Sequence, residues 1–220
     1  MDSKTVPLRV SCSGIVAFRI EDSFLGTLNR SRLAAGQIVY TPPGGAYKYI
    51  GRKTQDYLRS IGATVGDDKE LRFLLNGTEN ERSLTLQRFH RWFCGRKKRE
   101  KRPSREIYEE LFGQGSEEQF LQLNVMPRLY RHSPDMVFFR DITTRPDGEH
   151  YLTQYYIELF DARMSHRFQK IITQRLKKQR TSHVHLLSLE EITQGRTNEQ
   201  LRIEETYAPV EISRLFLYFL

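Results

Sequence analysis

Apolar residues crowd the stretch from Leu8 to Ile20, which is rich in Val, Ile and Phe and predicts a β-strand. Glu21-Asp22-Ser23 reads as a turn, and Phe24–Leu28 as a second strand that completes a hairpin. The short apolar run Gln37–Tyr40 stops at Thr41-Pro42-Pro43-Gly44-Gly45, where proline and paired glycines break a strand and let backbone carbonyls approach a ligand. Residues 53–63 switch to helical spacing, with Tyr57, Leu58 and Ile61 on one side. Leu71–Leu75 is strand-like and ends at Asn76-Gly77; Arg82–Phe93 is an amphipathic helix whose stripe is Leu86, Phe89 and Phe93. Burial habits assign Phe89 and Trp92 to the core. Another helix opens at Pro103-Ser104 and stops near Gly113 or Gly115. Beyond it, Leu121–Tyr130, Met136–Arg140 and Tyr151–Phe160 are strand-like, with a hairpin signal at Pro146-Asp147-Gly148. His166–Lys178 predicts a helix, Val184–Leu189 a short strand, Leu189–Ile192 the start of a short helix, and Tyr207–Leu220 a docked C-terminal helix. No regular alternation of strand and helix runs through this order, so the class is α+β.

Composition narrows the picture. A chain of 220 residues with 38% hydrophobic and 11% aromatic content builds a real core, which excludes a disordered protein and fits a single domain over 1–220. No apolar run is long enough to span a membrane, and Met1-Asp2-Ser3-Lys4 lacks an apolar signal core, so the expectation is a cytoplasmic protein. Cys12 and Cys94 are too few and too far apart for a thiolate metal site; buried, reduced thiols are the default, with a disulfide left open. A net charge of +8 suits an anionic partner. The charge comes in two blocks, Arg96–Arg102 and the group Arg167, Lys170, Arg175, Lys177, Lys178 and Arg180. The second reads as a solvated basic face; the first either sets cations against substrate phosphates or covers an exposed loop.

The candidate chemistry sits in Arg105-Glu106-Ile107-Tyr108-Glu109-Glu110. Glu106, Glu109 and Glu110 are spaced i, i+3, i+4 and share one face of a helix, where like charges repel unless a cation neutralises them. Hard divalent cations prefer oxygen ligands of this kind. A solvated acidic face is the competing reading. Ile107 and Leu111, one turn apart, are free to bury the opposite face, and Pro43-Gly44-Gly45 supplies a second half for a metal site.

This pattern resembles a Nudix hydrolase motif: Arg-Glu, an apolar residue, any residue, then Glu-Glu, with a glycine upstream and another downstream. Three features depart from it. A helix–strand–helix insertion, about residues 46–102, separates Gly45 from Arg105, and Phe112 stands where the closing glycine belongs, with Gly113 one later. The intermediate glutamate has no counterpart, since Lys97 occupies its spacing. With Gly44–Tyr49, Trp92-Phe93, Gly95-Arg96 and Pro103–Leu111, the chain is most similar to the SMODS-associated Nudix family, a branch linked to bacterial antiphage systems that signal with nucleotides.

The resemblance implies a mixed β-sheet sandwiched between helices and a nucleotide pyrophosphohydrolase. Glu106, Glu109, Glu110 and the Gly45 carbonyl would hold Mg²⁺ or Mn²⁺, with Arg105 orienting a glutamate. Glu149, Glu158 and Asp161 are candidates for a later general base. Lys48, Arg52, Arg96 and Glu158 are candidate substrate contacts, and Tyr47, alternating with Lys48 and Tyr49, either stacks a base or packs on the core. The lead substrate is a nucleoside triphosphate, non-standard ones included; ADP-ribose or a dinucleotide comes next, and a nucleotide sensor without turnover is the alternative. A defence-system partner and a homodimer are further expectations. No aromatic residues interleave with the basic runs, so a nucleic-acid partner is not expected.

Overall fold

The computed structural model describes residues 8–112, 126–144, 150–178, 183–203 and 206–220. The strands are β1 (Leu8–Ala17), β2 (Arg19–Ile20), β3 (Ser23–Leu28), β4 (Ile38–Thr41), β5 (Gly44–Ala46), β6 (Ala63–Val65), β7 (Arg72–Leu75), β8 (Arg128–Thr144), β9 (His150–Arg163), β10 (Val184–Ser188), β11 (Arg196–Ile203) and β12 (Thr206–Ile212). The helices are α1 (Arg30–Leu33), α2 (Arg52–Ser60), α3 (Glu79–Cys94), α4 (Ser104–Ile107), α5 (His166–Lys178) and α6 (Leu189–Gln194). This is the expected α+β class. It has two mixed sheets where one was expected, with strand orders β6-β7-β1-β9-β8 and β10-β3-β4-β12-β11; β5 joins β1 and β2 joins β3. The hairpin signal at Pro146–Gly148 and the glycines at 113 and 115 lie outside the described residues.

Contacts group the chain into two compact units. The first comprises the described residues of 1–14, 45–103 and 136–158. Its longest helix, α3, starts where it does because Thr78 and Glu81 form a reciprocal capping box. That helix buries Leu86, Phe89 and Phe93, as its apolar stripe predicts. Phe89 meets Phe73 edge-on at 5.0 Å and Tyr156 at 5.3 Å, so the core of this unit is largely aromatic. Cys12 is buried and Cys94 exposed, and no disulfide joins them.

The second unit comprises the described residues of 15–44, 104–135 and 159–220. In β4, Ile38 and Tyr40 are buried while Val39 and Thr41 are half-open, the period-two pattern of a strand with one face on the core. β3 pairs antiparallel with β10, and β12 pairs parallel with β4, Val210 opposite Ile38. The C-terminus corrects the expected helix. Residues 206–212 form a strand, and only Arg214–Phe219 coil, as a 3₁₀ turn. Pro209 has no N–H for a helical ladder, and β-branched Val210 and Ile212 suit a strand. Both strand residues are buried, as are Phe216 and Phe219 after them. No helix among the described residues is long and apolar enough to cross a membrane.

Candidate functional site

The acidic stretch folds as one short turn in the second unit. Ser104–Ile107 form α4, and Tyr108–Phe112 continue as a π-helical turn. Ile107 and Leu111 are fully buried and anchor the turn from one side. The widened π turn breaks the regular 3.6-residue spacing, so the acids do not all point the same way.

Arg105 takes two of them. Its Nη1 lies 2.6 Å from Glu106 Oε1 and 3.0 Å from Glu109 Oε2. Glu110 turns instead to the Pro43-Gly44 segment. Its Oε2 accepts the Gly44 amide at 3.0 Å and the Thr27 hydroxyl at 3.4 Å. Gly44 has φ +144°, a region that L side chains rarely adopt, and this aims its N–H at the carboxylate. Thus the structure brings the glycine segment and the third glutamate together, although 66 residues separate them in sequence. Gly45 follows in β5 and is half-buried.

Although the Glu110 residue is exposed by area, its carboxyl end is crowded by protein. Lost hydration pushes its pKa up to about 8, and the charges of Glu106 and Glu109 add to that, while the Gly44 and Thr27 hydrogen bonds oppose it. Water on the open side screens part of this penalty.

The donor set is chemically right for a hard divalent cation: three carboxylates within five residues, mutually repelling, with no soft ligand among them. Among the described residues, however, no three His, Cys, Asp or Glu side chains converge closely enough to hold a metal ion as they stand. The Arg105 guanidinium bridges two of the acids, and the third faces Gly44.

Of the remaining predicted residues, Glu158, Arg96, Tyr47, Lys48 and Arg52 lie in the first unit and Asp161 in the second. Glu158 is fully buried; its carboxylate receives Arg99 Nη1 at 3.1 Å and Nη2 at 3.0 Å, and also pairs with Arg96. Arg96 further donates to the Lys101 carbonyl. Tyr47 is completely buried, with its ring 5.1 Å from the Arg99 guanidinium, so it packs on the core and offers no open face to a base. Burial, and then the charge of Glu158, hold its phenol well above the usual range. A Cβ on Gly14 would meet the Tyr47 hydroxyl at 2.4 Å, so glycine is required there by close approach. Lys48 is half-buried, and its amide donates to Glu100 Oε2 at 2.8 Å. Arg52 is exposed at the start of α2. Of the later acids, Asp161 pairs with His132 at 2.7 Å, and Glu149 lies outside the described residues.

Two side chains escaped the sequence reading. Thr27, a buried strand threonine, reaches Glu110, and nothing in its local sequence marks it. Arg99 looked like one cation in a basic run, yet it is fully buried, with its guanidinium 3.7 Å from the Phe93 ring centre. An open cleft of about 610 Å³ in the first unit contains none of the predicted residues. Its polar lining is used internally: Asn76 donates to Thr64, Thr85 to the Ile61 carbonyl, and Glu81 caps α3.

Residues 7–209 match the family model for the SMODS-associated NUDIX domain, which covers most of the chain. No curated protein matches it.

Proposed function

Because this chain belongs to the SMODS-associated NUDIX family, we propose that it is a divalent-metal-dependent Nudix hydrolase that cleaves a nucleotide phosphoanhydride. The lead substrate is a nucleoside triphosphate, split to monophosphate and pyrophosphate, in the setting of bacterial antiphage defence. One observation carries this reading. Three carboxylates share one anchored turn, and the one seated on the Gly44 amide is held from ionising chiefly by lost hydration and then by the charges of the other two. A bound cation would favour its ionised form and relieve that repulsion.

In this reading Glu106, Glu109 and Glu110 would hold Mg²⁺ or Mn²⁺. Bound there, the metal would offset pyrophosphate charge and make water a better nucleophile. The chain's own residues do the rest. Glu110, held by Gly44 and Thr27, presents an oxygen on a fixed backbone. Arg105 steadies Glu106 and Glu109 and must yield part of its hold for them to act as ligands. Glu158 does not serve as the base, since Arg99 and Arg96 take its oxygens.

The Arg105 bridge also favours a second reading, a nucleotide sensor without turnover. As the turn stands, its own arginine supplies the cation. A pyrophosphate-release screen with Mg²⁺ or Mn²⁺ over nucleoside triphosphates, ADP-ribose, NAD and dinucleoside polyphosphates decides between them. Turnover that disappears in Glu109→Gln and Glu110→Gln supports the hydrolase. Tight binding of one nucleotide with no product supports the sensor.

A further inference from the structure

Two stretches of the chain are strongly basic, one around Arg96–Arg102 and one that contains α5. The chain's 35 Lys and Arg residues against 27 acids give +8. Residues 163–188 hold seven of those basic residues, Arg163, Arg167, Lys170, Arg175, Lys177, Lys178 and Arg180, and no acid. They therefore carry +7. Three histidines, at 166, 183 and 185, lie in the same stretch. Most of these residues belong to α5, whose 13 residues span about 20 Å.

The helix sorts them by face. Ile172 is buried, and Phe168, Ile171 and Leu176 are half-buried, so its apolar side is used within the protein. Arg167, Lys170 and Gln174 are exposed at i, i+3, i+7 spacing, which places them along one face. A membrane-surface helix would need the opposite arrangement, an exposed apolar face beneath its cations. Along α5 no large apolar residue is exposed.

An aromatic partner joins the cations only in the folded chain. Arg163 ends β9, three residues before α5 begins. Its guanidinium lies 4.8 Å from the ring centre of Tyr130, which is 41% exposed. The nearby carboxylates are already engaged, Asp161 by His132 and Asp135 by Arg131 at 2.5 Å. Exposed cations at Arg167 and Lys170, preceded in the chain by an open ring stacked on Arg163, offer the chemistry that binds single-stranded nucleic acid: phosphates on the cations, a base on the ring.

We propose that α5 and the Tyr130–Arg163 pair form a docking surface for single-stranded nucleic acid. This surface uses none of the residues of the carboxylate turn and does not depend on the hydrolase reading.

The test is fluorescence anisotropy of a labelled uridine or thymidine oligonucleotide of about fifteen residues, within the footprint of single-strand sites. Titrations run in EDTA, so no metal is involved, and at several salt concentrations. Parent protein binds, with log affinity falling linearly against log salt. The Arg167→Ala/Lys170→Ala double variant lowers that slope by roughly 1.4, about 0.7 per lost phosphate contact. Tyr130→Leu weakens binding about tenfold at fixed salt without changing the slope, and Tyr130→Phe, which keeps the ring, binds as the parent does. Thermal melts confirm that the variants fold as the parent does. The proposal is overturned if no oligonucleotide binds at low salt, or if binding is indifferent to these substitutions. Adhesion to phosphatidylserine vesicles that excess oligonucleotide fails to displace also overturns it, in favour of a lipid surface.

Discussion

Two clusters of charge in this protein use the same residue types to opposite ends. In the first unit, Glu158 and Arg99 are fully buried and Arg96 is mostly so; two guanidiniums surround one carboxylate. Arg99 is further enclosed by Phe93 and Tyr47. In the second unit, one guanidinium bridges two carboxylates of a turn, while the third, Glu110, is raised out of its ordinary titration range by lost hydration and then by the charges of its two neighbours. The first cluster is satisfied and closed. The second crowds like charges and keeps an open side. Charged residues alone do not mark a site; an imbalance with access to solvent does, because only there does a ligand improve the electrostatics.

The largest effect should come from breaking the closed cluster. Arg99→Met leaves Glu158 buried with one of its two cations gone, and a cost of roughly 3–5 kcal/mol in urea unfolding is expected. Replacing both partners, Arg99→Met with Glu158→Leu, should cost less than the two single changes added together, because no unpaired carboxylate stays behind. If Arg99→Met costs under about 1 kcal/mol, the pair is not a structural element and the contrast collapses.

Glu110→Gln tests the open cluster by the opposite outcome. Glutamine keeps an oxygen for the Gly44 amide and the Thr27 hydroxyl but carries no charge to be desolvated or repelled. Thermal stability of the metal-free variant should equal or exceed that of the parent, the usual sign of a group kept for function. Millimolar Mg²⁺ or Mn²⁺ should raise the melting temperature of the parent and not that of the variant, by mass action on a site only the parent has. A variant that melts well below the parent in EDTA would make Glu110 structural.

These two regions also differ in how far the sequence disclosed them. The acid turn was legible because its residues are local. Six consecutive positions carry the pattern, and Ile107 and Leu111 mark the buried side. What the spacing rule missed is the π turn, which sends Glu110 to Gly44 while Arg105 keeps the other two acids. The Arg99–Glu158 pair joins positions 59 apart, and no local feature distinguishes Arg99 from its exposed neighbours. Tyr130 and Arg163 also come from different parts of the chain, so a search for aromatics within basic runs could not find them. Helices α2, α3, α5 and α6 and most strands followed from apolar periodicity. The C-terminal strand did not, since an apolar run with Pro209 reads either way until its partner β4 is known.

Glu81 adds a third environment for a glutamate, neither balanced nor crowded. Hydrogen bonds from the Thr78 amide and hydroxyl lower its pKa in the folded state. The sign is therefore opposite to that of Glu110. The stabilisation is present above the unfolded carboxylate value and is lost as the pH falls through the lower, folded one. Glu81→Ala should unfold at lower urea than the parent at neutral pH, and the gap should narrow below about pH 4.5. A gap that stays constant to pH 3 would show that charge plays no part in the cap.

The smallest expected effect concerns the loop that carries the closed cluster's cations. Arg96 and Lys98 both have left-handed backbone, at φ 53° and 61°. Such conformations cost a non-glycine residue about 1 kcal/mol. At Arg96 the ion pair with Glu158 over-determines the geometry. Lys98 is exposed, and what fixes its backbone is its carbonyl, which accepts the Ile50 amide at 2.7 Å. Glycine relieves the strain at either position but adds freedom to the unfolded chain. Lys98→Gly should therefore gain about 0.5 kcal/mol, while Arg96→Gly should lose stability because it strips Glu158 of a partner. Urea midpoints for the two variants measure this directly. The same sign for both would mean that the loop's shape is set by its backbone alone, and that Arg96 contributes nothing to the closed cluster.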